Sequence, residues 1–193
     1  MDFVLPSEPR PVRLMNTVWA DRGGVHDALT TPADLARWLT ATGLTAAEPP
    51  ATAADLRTAV TLRDALRRLA ALTTDDSRAA ARSALQDAEA AVHAVNEAAV
   101  AGPGRATLQL LDGKLSLRAP EPAADPGAAL AVVAAEGIDL LTGSGVLNAC
   151  YAPGCVLYFV RDHPRREWCS TACGNRARAA RHYQRHRTTR TAP

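Results

Sequence analysis

Four cysteines in one short stretch constrain the fold of this chain more than any other feature. They have the spacing C-x4-C-x13-C-x3-C and are the only cysteines of the sequence: Cys150, Cys155, Cys169 and Cys173. Four thiolates complete a tetrahedral shell around zinc and leave no open position for a substrate water. Clustered cysteines in a chain without a signal-peptide pattern favour a metal over disulfides. The spacing therefore predicts a structural zinc site.

The residues around the two cysteine pairs predict a small treble-clef-like finger. Residues 156–160 (VLYFV) and 166–169 (REWC) are expected to form two short strands joined by a turn. Ser170 is expected to cap the following helix, which places Cys169 and Cys173 on one metal. A core this small depends on its metal for folding.

Two other interpretations of the cysteine block are less favoured. The thiols could be unligated or form a redox pair, but neither pair has the C-x2-C spacing of thioredoxin-like sites. A finger with two cysteine and two histidine ligands would use His182 and His186. The first cysteine pair lies too far from these histidines for that class of finger.

The charge of the chain is concentrated at one end. Residues 161–193 hold nine arginines against two acidic residues, although the net charge of the whole chain is only +2. An acidic body with a basic segment is a common layout for nucleic-acid binding. A helix from residue 171 to about 187, at 100° per residue, carries one basic face suited to phosphates or guanine edges. The candidates on this face are Arg178, Arg181, His182 and Arg185, with Asn175 at its margin. The alternatives are a solvated face, or charge that offsets the zinc tetrathiolate.

The other side of this helix predicts structural roles. Its apolar residues are expected to pack against the hairpin aromatics: Ala172, Ala179, Ala180 and Tyr183. Arg176 is expected to tie the helix to the hairpin, or to donate to a cysteine sulfur or a backbone carbonyl. Gly174 allows a close approach beside the metal, and Trp168 is expected to support the site without ligating it. For Asn175, a local cap, a local crosslink and a base contact stay open.

Residues 1–145 predict a mainly helical α+β domain with one β-hairpin. Capping patterns at Thr31 and Thr52 predict two helices, and a third is expected from about 75 to 100. Leucines that alternate about Asp112-Gly113 predict a hairpin near 106–119. A helix from about 125 to 141 follows, and TGSG at 142–145 marks the boundary before the finger, residues 146–193.

These features resemble the CGNR zinc finger proteins. Over about 146–190 the resemblance rests on the four cysteines, the aromatic segment 157–159, Trp168-Cys169-Ser170 and Cys173-Gly174-Asn175-Arg176. The preceding part resembles the partner domain of that family, ABATE, described as a stress-induced transcription regulator. Its marks are Leu14-Met15-Asn16-Thr17, the segment 34–39 and the Ala-rich helix before the finger; the family usually has Asp where this chain has Arg13. The resemblance implies a zinc-dependent, DNA-binding regulator of the stress response.

The sequence offers little for other functions. It contains no Gly-rich phosphate loop, nucleophile elbow or catalytic dyad, so we expect no enzyme. The longest apolar run, 128–135, is too short to span a bilayer, and a cytoplasmic protein is expected. Glu89, His93 and Glu97 have a metal-like spacing that exposed helices produce routinely, and His26-Asp27 is equally weak. The tryptophans Trp19 and Trp38 are expected in the core.

The leading hypothesis is a DNA-binding transcriptional regulator. Structural zinc folds the finger, the basic helix supplies affinity for DNA, and the first domain senses a small-molecule effector or mediates assembly, including a homo-oligomer. One alternative is a zinc-stabilised module for protein–protein or RNA contacts. Another is small-molecule binding by the first domain.

Overall fold

Six helices and three two-stranded antiparallel sheets make up the described part of the chain, which confirms the predicted α+β class. A computed structural model describes residues 5–100, 107–111, 114–118, 123, 125–143 and 145–190, with side chains for all of these except 107–118 and 187–190. The elements in chain order are α1 (Arg10–Met15), β1 (Val18–Asp21), β2 (Gly24–Asp27), α2 (Pro32–Ala41), α3 (Ala53–Thr73), a 3₁₀ turn (Ala79–Ala81), α4 (Ala88–Val100), β3 (Thr107–Leu111), β4 (Lys114–Arg118), α5 (Pro126–Thr142), β5 (Leu147–Ala149), β6 (Tyr158–Val160) and α6 (Thr171–Arg190). Among these segments, no helix is both long and apolar enough to cross a membrane.

The helix starts predicted at Thr31 and Thr52 are confirmed as capping boxes. The Thr31 hydroxyl accepts the backbone N–H of Asp34 at 3.2 Å, and the Asp34 carboxylate accepts the backbone N–H of Thr31 at 2.8 Å. Thr52 and Asp55 repeat the arrangement at the start of α3. Each box satisfies two N–H groups that a helix leaves without an internal partner.

The predicted hairpin is present, and the structure contains another that the sequence analysis did not predict. Strands β3 and β4 pair antiparallel in the expected place, with Leu110 opposite Leu115; the turn at 112–113 lies outside the described residues. Strands β1 and β2 form the unpredicted hairpin, joined by the two residues Arg22-Gly23. Gly24 follows with φ of 122°, a conformation that favours glycine. The Gly-Gly pair between two short apolar runs is the signal that could have found it.

The third helix begins later than predicted. We expected it from about residue 75, but α4 begins at Ala88. Asp75 has φ of 50°, which a right-handed α-helix does not allow, and the Asp76 carboxylate accepts the backbone N–H of Arg78 at 3.0 Å. Such local side-chain bonds compete with helix formation. Residues 74–87 therefore form a loop that contains only the 3₁₀ turn.

The core of the molecule lies between the helices and reaches the cysteine-containing segment. Trp38 is fully buried, as expected for a core residue, and α3 approaches α5 closely enough that a Cβ on Gly137 would lie 2.7 Å from Leu66 Cδ2. Tyr158 of β6 belongs to the same buried cluster as these helices. The hairpin β5–β6 thus shares its core with the residues that precede it.

A buried arginine fastens three separate segments together. Arg67 of α3 is 2% exposed, and burial lowers its pKa. Its guanidinium donates to the carbonyl oxygens of Met15 and Ala81, both at 2.9 Å, and of Val156 at 3.4 Å. It also lies 5.4 Å from the centre of the Tyr158 ring. One charge therefore satisfies carbonyls of α1, the 74–87 loop and the finger.

We expect Arg67→Met to lower the free energy of unfolding by about 2–4 kcal/mol, because three carbonyl oxygens lose a buried cationic donor. Urea denaturation followed by circular dichroism measures the change. Arg57→Met is the matched control, since Arg57 is exposed on the same helix. A loss below about 1 kcal/mol in Arg67→Met would show that water replaces the guanidinium at these carbonyls.

Candidate metal centre and basic helix

The structure brings all four predicted ligands together. Their sulfur atoms lie within 4.8 Å of one another, and all four residues are buried. The Sγ atoms of Cys155 and Cys169 are 3.9 Å apart, and those of Cys169 and Cys173 are 3.4 Å apart. A tetrahedral zinc with Zn–S bonds of about 2.3 Å needs sulfur separations of about 3.8 Å. The four thiolates fit zinc in both chemistry and spacing.

A tight turn over residues 150–155, the zinc knuckle, positions the first two ligands. Cys150 directly follows β5, and its backbone N–H donates to Leu157 O at 3.0 Å. The backbone N–H of Cys155 donates to Ala152 O at 2.9 Å and closes the turn. Gly154 within this turn has φ of 72°, so a side chain there would strain the backbone.

The other two ligands lie at the start of α6. Cys169 precedes the helix, and Cys173 is in its first turn. The backbone N–H of Cys173 donates to the Ser170 hydroxyl at 3.2 Å, which is the cap that the sequence predicted. The helix start therefore holds both sulfur atoms on one side.

The strand pairing in the finger differs from the prediction. We expected 156–160 to pair with 166–169, but β6 pairs with β5, and Ala149 lies opposite Tyr158. Residues 166–169 form no strand. Their place is fixed instead by the Arg166 side chain, which donates to Val160 O at 2.9 Å and pairs with the Glu8 carboxylate. A partner strand of three residues just before Cys150 was too short to recognise in the sequence.

The crowded sulfur atoms perturb one another's ionisation. The pKa of Cys150 is lowered far below that of an ordinary thiol because its sulfur accepts hydrogen bonds from Cys155 and Cys169. The pKa values of Cys155 and Cys169 are raised for the converse reason, with burial adding to the effect. Four thiolates at these distances need a cation among them, which a divalent metal supplies.

The predicted supporting residues lie around the ligands. A guanidinium nitrogen of Arg176 is 3.1 Å from Cys173 Sγ, one of the contacts the sequence suggested. A Cβ on Gly174 would lie 3.1 Å from the Trp168 ring, so glycine allows this ring to pack on the helix. Trp168 also packs against the cysteine cluster.

We expect Arg176→Ala to release zinc up to about tenfold faster, since it removes an N–H···S bond that stabilises thiolate charge. Zinc transfer to a chromogenic chelator measures the rate. Arg176→Lys should restore part of the retention because it keeps a cationic donor near Cys173. An unchanged rate in Arg176→Ala would mean that the contact is incidental.

The residues predicted to contact nucleic acid lie along one exposed side of α6. All side chains from Arg181 to His186 are exposed. The Asn175 side-chain oxygen accepts a hydrogen bond from Arg178 at 2.6 Å, the local crosslink among the three roles left open. The Arg181 guanidinium lies 5.6 Å from the centre of the Trp168 ring.

The two histidines of α6 pair with each other rather than with the cysteines. The Nε2 atoms of His182 and His186 are 3.0 Å apart. Among the described residues, the four cysteines are the only cluster of three or more candidate ligands. The alternative finger with two histidine ligands is therefore not formed, and Glu89, His93 and Glu97 do not group as a metal site.

The expected apolar contact along α6 is wrong. Ala172 and Ala179 are exposed, Ala180 is only partly buried, and Tyr183 is 71% exposed. The buried side instead consists of Cys173, Gly174 and Ala177. The packing of α6 against the finger ends at Ala177 because the hairpin β5–β6 is short. The rest of the helix extends away from the finger.

Several residues before position 145 contact the finger and were missed as functional candidates. The Asn16 side chain donates to Tyr158 O and accepts the Tyr158 backbone N–H, both at 2.9 Å. The Glu8 carboxylate accepts the Val160 N–H at 2.8 Å. The sequence identified Asn16 only as part of the Asn-Thr pair shared with the family, and it gave no indication that Asn16 binds Tyr158.

The pair His26-Asp27 forms no site. His26 stacks on Trp19 and pairs with Asp21 instead.

Comparison with known proteins agrees with this architecture. The family ABATE, described as "Putative stress-induced transcription regulator", matches residues 8–144, and the CGNR zinc finger matches residues 147–186. No curated protein matches the chain significantly. The clustered cysteines within this finger form a structural zinc site. The chain therefore belongs to the ABATE family and carries a CGNR zinc finger.

Proposed function

We propose that this protein is a zinc-dependent regulator that binds duplex DNA through the basic side of α6 and acts by binding rather than by catalysis. The observation that carries the proposal is the exposed helix that extends from the metal centre. Its candidate contacts are Arg178, Arg181, His182 and Arg185, with Asn175 at the margin.

The dimensions of α6 suit a duplex. Twenty residues at 1.5 Å each give a helix of about 30 Å, and the major groove, about 12 Å wide, admits an α-helix. Zinc fixes the first turn through Cys173, and Trp168 contacts Arg181 about two turns farther along the helix. In the part of the chain that the structure describes, no other helix or strand makes extensive contact with α6, so its exposed turns are accessible to a groove.

The charge of this helix exceeds what the metal requires. A zinc tetrathiolate carries a charge of −2, and Arg176 already lies against one of its sulfur atoms. Arg181 and Arg185 lie about two and three helical turns beyond Cys173, which leaves their charge for another purpose. They match the repeated phosphates of a nucleic acid, from which such side chains release counterions.

The ABATE domain supports a regulatory role by its family description. We propose that it senses an effector or mediates assembly. In the described residues, a cavity of about 170 Å³ beside the 74–87 loop is lined by Arg68, Arg78 and Arg82 together with Asp76. Its polar lining suits a polar ligand better than an apolar effector.

Fluorescence anisotropy tests the proposal directly. The zinc-loaded full chain is titrated onto a labelled 30-base-pair duplex at several salt concentrations, and onto a single-stranded RNA of the same length. We expect tighter binding to the duplex, and a linear fall of the logarithm of affinity with the logarithm of salt. Equal affinity for RNA, or no binding to either, would overturn it. Selection from random duplexes then shows whether bases or only the backbone are recognised.

A further inference from the structure

The metal centre has a partner outside the finger. Arg78 lies in the 74–87 loop of the ABATE domain. One of its terminal nitrogens donates to the carbonyl oxygens of Cys150 at 2.7 Å and Cys155 at 2.9 Å. These are the backbone carbonyls of the two ligands that form the knuckle. A single cation from the first domain therefore holds both ends of the knuckle.

Arg78 is itself held rigidly. Its other nitrogens donate to both oxygens of the Asp76 carboxylate, each at 2.7 Å. The Asp76 side chain is 1% exposed. Burial raises the pKa of Asp76, but hydrogen bonds, first from Arg78, more than offset this effect and keep the pKa below its usual value. The pair is therefore a buried, charged unit rather than a surface salt bridge.

The finger in turn holds this pair in place. The Tyr158 hydroxyl donates to Asp76 at 2.8 Å, and the Tyr158 ring lies 5.4 Å from the Arg78 guanidinium. Asn16 binds both backbone groups of the same tyrosine. The contacts thus form a closed circuit: Arg78 binds the knuckle, and Tyr158 of β6 binds Asp76 of the Arg78 loop.

We propose that Arg78 is a positioning residue of the zinc site, supplied by the ABATE domain, so that metal retention and docking of the finger are one linked equilibrium. The guanidinium fixes the knuckle turn by binding the backbone carbonyl oxygens of two zinc ligands. Docking then raises metal affinity, and by linkage the metal stabilises docking by the same factor. Loss of zinc is transmitted to the ABATE domain without any effector. The proposal does not depend on DNA binding.

Zinc release from the full chain to a chromogenic chelator tests the first half. Arg78→Gln is expected to release zinc at least about tenfold faster than the natural protein. Arg82→Gln is the matched control, because Arg82 lies on the same loop, is exposed and is expected to leave the rate unchanged. Arg78→Lys keeps the charge but loses the planar guanidinium with its several N–H donors, so its rate of zinc release should be intermediate. A natural rate in a folded Arg78→Gln would overturn the proposal.

Cobalt substitution separates positioning from general destabilisation. Co²⁺ bound by four thiolates absorbs in the visible range, and its spectrum reports the ligand geometry of the folded, loaded site. We expect Arg78→Gln to change this spectrum and Arg63→Met, which removes a buried arginine of α3 paired with Asp27 and Asp64, to leave it unaltered. Identical spectra for Arg78→Gln and the natural protein would contradict a positioning role.

Hydrogen exchange of the natural protein tests the second half and needs no variant. We expect zinc removal to expose amides in α1 and the 74–87 loop as well as in the finger, because the circuit opens as a unit. Amides of α2, which makes none of the circuit's contacts, serve as the internal control. Unchanged protection in α1 and the loop would show that the ABATE domain does not sense the metal.

Discussion

Cys155→Ser is expected to abolish stable zinc binding, from about one zinc per chain to nearly none, and to unfold the finger. Cys155 is one of the two ligands in the knuckle, and a serine hydroxyl does not replace a thiolate on zinc. The binding free energy of a structural zinc, about 10–16 kcal/mol in isolated fingers, is largely folding free energy. The expected loss therefore exceeds that of any other single substitution considered.

Metal analysis and thermal unfolding measure this effect in the full chain. Ala172→Ser is the control, since it adds a hydroxyl beside Cys173 at an exposed position and should retain zinc. The helices α2 and α3 should keep most of their circular dichroism because their core residues lie away from the sulfur atoms. Full zinc content in Cys155→Ser would mean that the other three ligands suffice, and that the fourth position is open.

The zinc ligands could be predicted because their spacing along the chain is a direct consequence of the local geometry. A knuckle of four intervening residues and a ligand pair at the start of one helix are short-range features. The capping boxes at Thr31 and Thr52 succeeded for the same reason. Each rests on side-chain and backbone groups within three residues.

Two of the errors arose where distant residues decide the local structure. Residues 75–87 have a helical composition, but Asp76 and Arg78 bind the finger instead. Likewise, the pairing of β5 with β6 is stabilised by Asn16, which lies more than a hundred residues away. Polar side chains whose partners are remote backbone groups leave no periodic signal in a sequence.

The helical projection of α6 was informative for its basic side and misleading for the opposite one. Periodicity places Arg178, Arg181 and Arg185 on one face regardless of surroundings. It does not reveal how far a neighbouring hairpin extends. Since β5 and β6 have three residues each, the buried residues of α6 that the structure describes end at Ala177.

The combined substitution Arg178→Ala/Arg181→Ala/Arg185→Ala is expected to weaken duplex binding by about two to three orders of magnitude at physiological salt. Each arginine that contacts a phosphate contributes about 0.9 to the salt slope. The slope should therefore fall by nearly three. Anisotropy titrations over a range of salt concentrations measure both quantities, and metal analysis verifies that the finger stays loaded.

A variant of equal charge distinguishes contact from attraction by net charge. Arg22→Ala/Arg57→Ala/Arg82→Ala removes three exposed arginines of the ABATE domain and should reduce affinity only slightly, because exposed charges beyond a Debye length of about 8 Å are screened. Equal losses of duplex affinity in the two variants would mean that α6 contributes only its net charge to the attraction of DNA. Because Arg181 also stacks on Trp168, Arg181→Ala alone should cost about 0.5–1 kcal/mol of stability without loss of zinc. A triple variant that retains zinc and natural affinity would contradict the proposed DNA interface.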